Sequence, residues 1–473
     1  MYRIPQSELI VLKLEKGILE AARESRDFEE LEEKVQRLIQ EATRIMLGNL
    51  LTAIDDEMLA DKEKEELKVV GNRTRGIITT VGEIKIKRRL YEDKETNKYH
   101  FMLDEALGIE KGKRVSKRME KLMLELGTEM SFRRAAKILQ YLVPGISHQK
   151  IWEEVQKAGE KASREVEEKR EAIFEDGEVP VGRKKIDRLC IEADGIFIPQ
   201  QRSEKKVGEL KIATAYEGKE NGKLKNKRTV VGLTDGETLW EQACAEFSWE
   251  WDLTGEISID IGGDGAEWIK EGAKIFPGAR YHLDAFHLRK KITEALGFKQ
   301  EYCQAVYKKI QELDREGLQR TFDQILKPTQ GKKKKKIEDL RSYILKNWEG
   351  IVQVPKEERL GAIEGQGRHI ITRRMKHIGA RWSPLGTEHM GRLLAAKANN
   401  ELHRYAGSEL SFKRETLSRA LAKVETASKR KAHHQSEGAW LRASVPALAG
   451  PNQDKMWVKK VLKPLTLPVS CGA

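Results

Sequence analysis

Residues 256–272 read EISIDIGGDGAEWIKEG, and residues 279–291 read ARYHLDAFHLRKK. In the first stretch Ile257, Ile259 and Ile261 alternate with Ser258, Asp260 and Gly262, the period-2 pattern of a half-buried strand. The strand meets Gly262-Gly263, presents Asp264 and gives way to helix-like text. The second stretch likewise runs a short apolar segment into Asp284. A carboxylate placed where a strand hands over to a turn is the feature from which the rest of the chain is read.

Upstream lie three strand candidates, DRLCIEADGIFIPQ (187–200), GELKIATAYEG (208–218) and KRTVVGLTD (227–235), separated by turn-rich text. Such spacing predicts an antiparallel meander. A helix follows over 236–253, then a fourth strand in the opening stretch and a fifth in 279–291. Three antiparallel strands, a helix and further β–α units predict an α/β fold: a ribonuclease-H-like core with a mixed five-stranded sheet and flanking helices. In that order the first and fourth strands are neighbours, so Asp194 and Asp264 would converge at one sheet edge. Residues 290–355 interrupt the core with charged helical text, and the run Lys332–Lys336 reads as a solvated loop. After the interruption Glu364 opens a further helix and would close the site.

Three carboxylates crowded together repel one another unless a cation neutralises them. Oxygen ligation selects Mg²⁺ or Mn²⁺, and two such ions are the arrangement that cuts phosphodiesters. Glu192 and Asp260 share strand parity with Asp194 and Asp264 and are their rivals as ligands; Glu357, Glu358 and Glu388 rival Glu364.

The 473 residues suggest about three domains. With 88 Lys+Arg against 75 Asp+Glu, the net charge of +13 favours a polyanionic partner, nucleic acid before membrane. Cys190, Cys244, Cys303 and Cys471 form no CxxC pair, which argues against a zinc ribbon or disulfide framework and suits a reducing cytoplasm. No run approaches the ~18 apolar residues of a membrane span. Lysines and a glutamate break the apolar text of MYRIPQSELIVLKLEKG, so no secretory leader is expected and a cytoplasmic, nucleoid-associated protein is.

Residues 1–65 read as helix, with Phe28, Leu31, Val35, Leu38, Ile39, Ala42 and Ile45 forming one stripe that would pack on a neighbour or a second subunit. Residues 66–112 read as a small basic β element. Ile84 and Ile86 alternate with Lys85 and Lys87, Val81-Gly82 suits a hairpin turn, and Lys85, Lys87 and Arg88 could track a phosphate backbone. Residues 113–180 return to helix. Ser131 and Ser147 stand at N-cap positions, and the break at Pro144-Gly145 is compatible with a helix-turn-helix whose second helix begins near His148. Arg133, Arg134, His148 and Lys150 are the candidate DNA contacts there, with Arg373 and Arg374 beside the glutamate helix. The expected organisation is completed by 185–289 and 356–405 as the two parts of the core, 290–355 as a helical insertion and 406–473 as a basic tail.

The motifs EADG (192–195), GDGAEWI (263–269), YHLDAFHLRK (281–290) and EGQGRHIITRRM (364–375) with RWSPLG (381–386) resemble the ISLre-type family of bacterial insertion-sequence transposases. So do TTVGEIKIKRRLY (79–91), LDEALGI (103–109) and SFRRAAKIL (131–139), and the likeness runs in consistent order over roughly residues 70 to 400. The resemblance implies a DDE transposase with Asp194, Asp264 and Glu364 as catalytic, metal-holding residues; Asp284 and His287 are expected to support the site or contact the DNA rather than bind metal, with His369 also in a supporting place. It departs from the family pattern at Arg368 and Thr372, where serines are usual. The implied protein works on double-stranded DNA as a homo-oligomer, binding the terminal inverted repeats of its element, cutting its ends and joining them to target DNA. Two other readings share parts of this sequence: a metal-dependent nuclease without strand transfer, and a non-catalytic DNA-binding protein descended from a transposase.

Overall fold

The computed structural model describes residues 7–60, 67–352, 360–376, 379–407 and 410–434. They divide into two units, one comprising the chain up to Ser116 together with the segment from residue 410, the other Lys117–Gly407.

In the first unit, helices α1 (Ser7–Glu24) and α2 (Phe28–Ala60) precede an antiparallel hairpin, β1 (Leu67–Thr79) and β2 (Gly82–Asp93), with the short β3 (Tyr99–His100) and α3 (Met102–Leu107) after it. Ile84 and Ile86 point into a core with Ile54, Met58, Ile77 and Leu103, joined by Leu417 and Ala420 of the helix Arg414–His434. Lys85 and Lys87 lie on the open face of β2. Arg88 does not. It is buried, 3.1 Å from the Asp104 carboxylate and 3.4 Å over the Phe101 ring, so the expected phosphate contact is a structural ion pair instead. On α2, Ala42 of the expected stripe is buried, whereas Phe28, Ile39 and Ile45 remain exposed.

The second unit begins with α4 (Lys117–Glu129), α5 (Phe132–Gln140) and α6 (His148–Phe174). Ser131 caps α5 by accepting the Arg134 N–H at 3.4 Å, and Ser147 caps α6 by accepting the Lys150 N–H at 3.1 Å. These helices belong to the same unit as the sheet that follows, rather than forming a module of their own.

That sheet contains β4 (Arg188–Pro199), β5 (Val207–Tyr216), β8 (Arg228–Gly232), β9 (Ser258–Gly263) and β10 (Arg280–Leu283) in the order β10-β9-β4-β5-β8. The small ribbon β6 (Gly218–Glu220) and β7 (Lys223–Lys225) projects between β5 and β8. β4, β5 and β8 run antiparallel, while β9 and β10 lie parallel to β4 and to each other. The sheet is therefore mixed. Helix α7 (Gly236–Glu250), capped by Asp235, lays Leu239, Trp240, Ala243 and Phe247 over Leu189, Ile191, Ala213 and Ile261. The short helices α8 (Glu267–Lys270) and α9 (Gly272–Ile275) join β9 to β10.

From β10 the chain enters α10 (Ala285–Leu296), α11 (Gln300–Gln311), α12 (Arg315–Leu326), α13 (Gly331–Lys346) and α14 (Trp348–Val352). The excursion has its own core of Ile292, Leu318, Phe322, Ile337 and Ile344. Lys332–Lys336 form the exposed first turns of α13, not a loop: the run leads into Ile337, Leu340 and Ile344, whose helical spacing buries one face. The chain returns in α15 (Ile363–Gly367), a π-helical turn Arg368–Thr372 and α16 (Arg373–Met375). Helix α17 (Pro384–Ala398) then packs across α6. A Cβ at Gly159 would collide with the His389 Cβ, so this crossing admits only glycine.

Candidate active site

Parallel pairing sets Cys190 against Asp260 and Glu192 against Gly262. Two residues further along each strand direction come Asp194 and Asp264, side by side at the same edge of adjacent strands about 4.8 Å apart. The local sequence accommodates this closely. A Cβ at Gly263 would meet Ile269 at 2.7 Å and the Ala193 carbonyl at 3.0 Å, and Gly265 adopts φ +93°, a left-handed conformation suited to glycine. Asp264 Oδ1 accepts the Ala266 N–H at 2.9 Å, and its carbonyl accepts the Tyr343 hydroxyl at 2.6 Å. The insertion thus helps hold the turn that presents Asp264. β10 ends one step on: Asp284 donates its N–H to the Gly263 carbonyl at 2.8 Å and caps α10 through Phe286.

Glu364 arrives from α15, whose start is held by Glu192. That buried carboxylate accepts the N–H groups of Ala362 and Ile363 at 2.8 and 3.2 Å and the Tyr216 hydroxyl at 2.5 Å. Asp194, Asp264, His287 and Glu364 line one open cleft of about 570 Å³, together with Lys290, Lys291, Arg368 and Lys376. One ligand atom from each of Asp194, His287 and Glu364 lies within 4.8 Å of the others. His287 Nδ1 is 2.9 Å from Asp284 Oδ2, and its Nε2 is 3.9 Å from Glu364 Oε2.

The charges respond to this crowding. Burial pushes the Asp194 carboxyl up to about 6, with Asp264 and Glu364 acting in the same direction against His287 and the Gly195 N–H. The hydrogen bond to Asp284 raises His287 against the opposing effect of its burial. A carboxylate pushed up by burial and by two neighbouring carboxylates is what a cation would relieve, so the donor set fits a divalent ion.

The rivals separate on geometry. Asp260 is fully buried between Arg188, Arg280 and His282; burial favours its neutral form, but hydrogen bonds from His282 and Arg188 outweigh this and hold it below the usual carboxylate range. Glu192 is committed to the α15 backbone. Glu388 accepts from the Leu233 N–H and pairs with Arg392 at 2.6 Å. Glu357 and Glu358 lie outside the described residues.

Several expected DNA contacts also need correction. Arg374 is 4% exposed, sits between the Phe132 and Trp382 rings and donates to the Gly127 carbonyl, so it is part of the core. Burial pulls its pKa down to about 10. Lys150 is held by Glu154 at 2.8 Å and Glu153 at 3.4 Å. His369 lines a separate cavity with Lys227, Gln366 and Arg373 rather than the cleft, because the π turn rotates it away while Arg368 and Thr372 face inward. Arg133, Arg134, His148 and Arg373 are exposed. Lys290 and Lys291 escaped the sequence reading, although their i+3 and i+4 spacing from His287 sets all three on one helix face.

The molecule is a mixed α/β protein whose five-stranded sheet carries an acidic cleft with basic walls. By its sequence the chain belongs to the uncharacterised protein family UPF0236, whose model matches residues 21–409. It is 29% identical over 381 residues to the UPF0236 protein TTE0402 of Caldanaerobacter subterraneus subsp. tengcongensis, covering 78% of this chain and 74% of the relative. Another relative from that organism is 28% identical over 381 residues, covering 78% of each chain, and its name carries eleven locus designations. A UPF0236 protein in the vanSb 3′ region of Streptococcus gallolyticus is 28% identical over 407 residues, covering 82% of this chain and 87% of the relative. Among the described residues no helix is long and apolar enough to cross a membrane.

Proposed function

We propose that this chain is a DDE transposase with a ribonuclease-H-like core. The observation that carries the reading is the convergence of Asp194, Asp264 and Glu364, from two adjacent parallel strands and a helix beyond a long insertion, in one cleft walled by lysine and arginine. Names that span several loci of one genome suit a mobile element, and support the same reading.

Two divalent ions, Mg²⁺ or Mn²⁺, held by Asp194, Asp264 and Glu364, would supply activation of a water or 3′-hydroxyl and stabilisation of the leaving oxygen. Asp194 is electrostatically coupled to both other carboxylates, so a cation in the cleft would relieve it of both. Glu192 fixes the start of α15 and with it the reach of Glu364. Lys290, Lys291, Arg368 and Lys376 draw the phosphate backbone over the carboxylates. Exposed Lys85, Lys87, Arg133, Arg134, His148 and Arg373 contribute further phosphate or base contacts to the terminal inverted repeats and target DNA. Work at two element ends fits a homo-oligomer in the cytoplasm, associated with the nucleoid.

Duplexes bearing the DNA that flanks the reading frame test the proposal. With Mg²⁺ or Mn²⁺ the chain should nick them at inverted-repeat ends and join the resulting 3′-hydroxyls to plasmid DNA. Nicking without joining would leave a hydrolytic nuclease. Binding with no cleavage under any divalent ion would leave a DNA-binding protein.

A further inference from the structure

We propose that His287 is itself a ligand of the ion nearest Glu364, making that position a mixed nitrogen–oxygen site that favours Mn²⁺ over Mg²⁺. This rests on reading the cleft as a divalent-cation site. Asp194, Glu364 and His287 each bring a ligand atom to one place in the cleft. Ligand atoms about 2.1 Å from one ion lie at most about 4.2 Å apart, so separations within 4.8 Å need only a small closure.

The imidazole is oriented for the role. Asp284 is buried, anchored through its N–H to the Gly263 carbonyl, and its carboxylate faces Nδ1 at 2.9 Å. With Nδ1 donating to Asp284, the neutral ring presents the Nε2 lone pair to the cleft. A carboxylate behind a histidine is the usual support of a metal-bound imidazole. The 3.9 Å from Nε2 to Glu364 is too long for a hydrogen bond, so that nitrogen is not committed to the glutamate. Asp264 is not one of that group of three: one of its carboxylate oxygens accepts the Ala266 N–H of its own turn, and Tyr343 holds its backbone carbonyl. The nitrogen-bearing position is therefore the one shared by Asp194, Glu364 and His287. Imidazole ligation favours a transition metal over Mg²⁺.

The full chain, stripped with EDTA and reloaded with Mn²⁺, tests this by pulsed electron paramagnetic resonance and by calorimetric titration with Mn²⁺ and with Mg²⁺. The expected result is nitrogen modulation from one directly bound imidazole in the wild type. His287→Ala and His287→Gln should remove it and weaken one Mn²⁺ site at least about tenfold, with a smaller effect on Mg²⁺. Mn²⁺ bound without nitrogen modulation, its affinity unchanged by His287→Gln, overturns the inference and leaves the carboxylate site standing. A wild-type chain that binds neither ion overturns both this inference and the function on which it rests. The nitrogen signal is read on the wild type, so a variant that failed to fold would not obscure the answer.

Discussion

Asp194 is the residue on which the cleft turns, because it is half-buried and feels the charges of both other carboxylates. Asp194→Asn, Asp264→Asn and Glu364→Gln should each abolish cleavage while leaving DNA-end affinity within about twofold, since these groups add nothing to phosphate attraction. Gel-shift and cleavage assays on the same preparations check this; near-normal cutting by any one variant removes that residue from the catalytic set. A stability consequence follows from the raised Asp194 pKa. Its folded value of about 6 lies above the ordinary aspartate value of 3.8 that holds in the unfolded chain, so ionisation penalises the folded state. That penalty is absent below about pH 4, grows between about pH 4 and 6, and is complete above. In EDTA, Asp194→Asn should therefore raise the melting temperature at pH 8 by several degrees and lose the advantage as pH falls toward 4. Thermal melts across that range decide it, and a variant less stable than wild type at pH 8 would contradict the burial argument.

Elements deliver these side chains, and two of their attachments can be tested. Glu192 ties the first N–H groups of α15 to the middle of β4, which converts a distant glutamate into a neighbour of Asp194. Glu192→Gln keeps the volume but replaces one acceptor oxygen by a donor facing those N–H groups. Cleavage should fall about 10- to 100-fold, with circular dichroism and DNA binding little changed. Unaltered cleavage would mean that α15 is held by other contacts. Arg374 illustrates the opposite outcome for a basic residue. It fills the space between Phe132 and Trp382 and satisfies the Gly127 carbonyl near the end of α4. Arg374→Ala should cost about 2–4 kcal/mol in denaturant unfolding, without changing the salt dependence of DNA binding.

On the scale of the whole molecule, a net charge of +13 coexists with an acidic cleft. On the proposed function, attraction to DNA would come from exposed cations and chemistry from the carboxylates. Binding should weaken steeply with salt as counterions are released. Lys85→Ala with Lys87→Ala should lower the slope of log K against log salt by about one for each phosphate those lysines neutralise. Fluorescence anisotropy over a salt series measures this. An unchanged slope would remove the face of β2 from the DNA interface. The measurement uses the full chain, because α4–α6 share a unit with the sheet and an N-terminal fragment ending near residue 180 would cut through it.

Much of this was legible in one dimension. Alternation of Ile257, Ile259 and Ile261 marks β9 because a strand sends successive side chains to opposite faces. Ser131 and Ser147 mark helix starts because their hydroxyls can satisfy otherwise unpaired N–H groups. The order of strands and helices was enough to set Asp194 on one strand and Asp264 just past the end of its neighbour. Period and charge say nothing, however, about which neighbours a long side chain finds across the fold. Arg88 and Arg374 read as cations for phosphate, yet the tertiary structure buries one against Asp104 and the other between aromatic rings, where packing and pairing outweigh their hydration. Asp260 and Glu192 carried the same strand parity as the cleft aspartates. Only the packing of Arg188, Arg280 and His282 around one, and of the α15 backbone around the other, decided that neither faces the cleft, because a carboxylate's role follows from the charges and donors that enclose it.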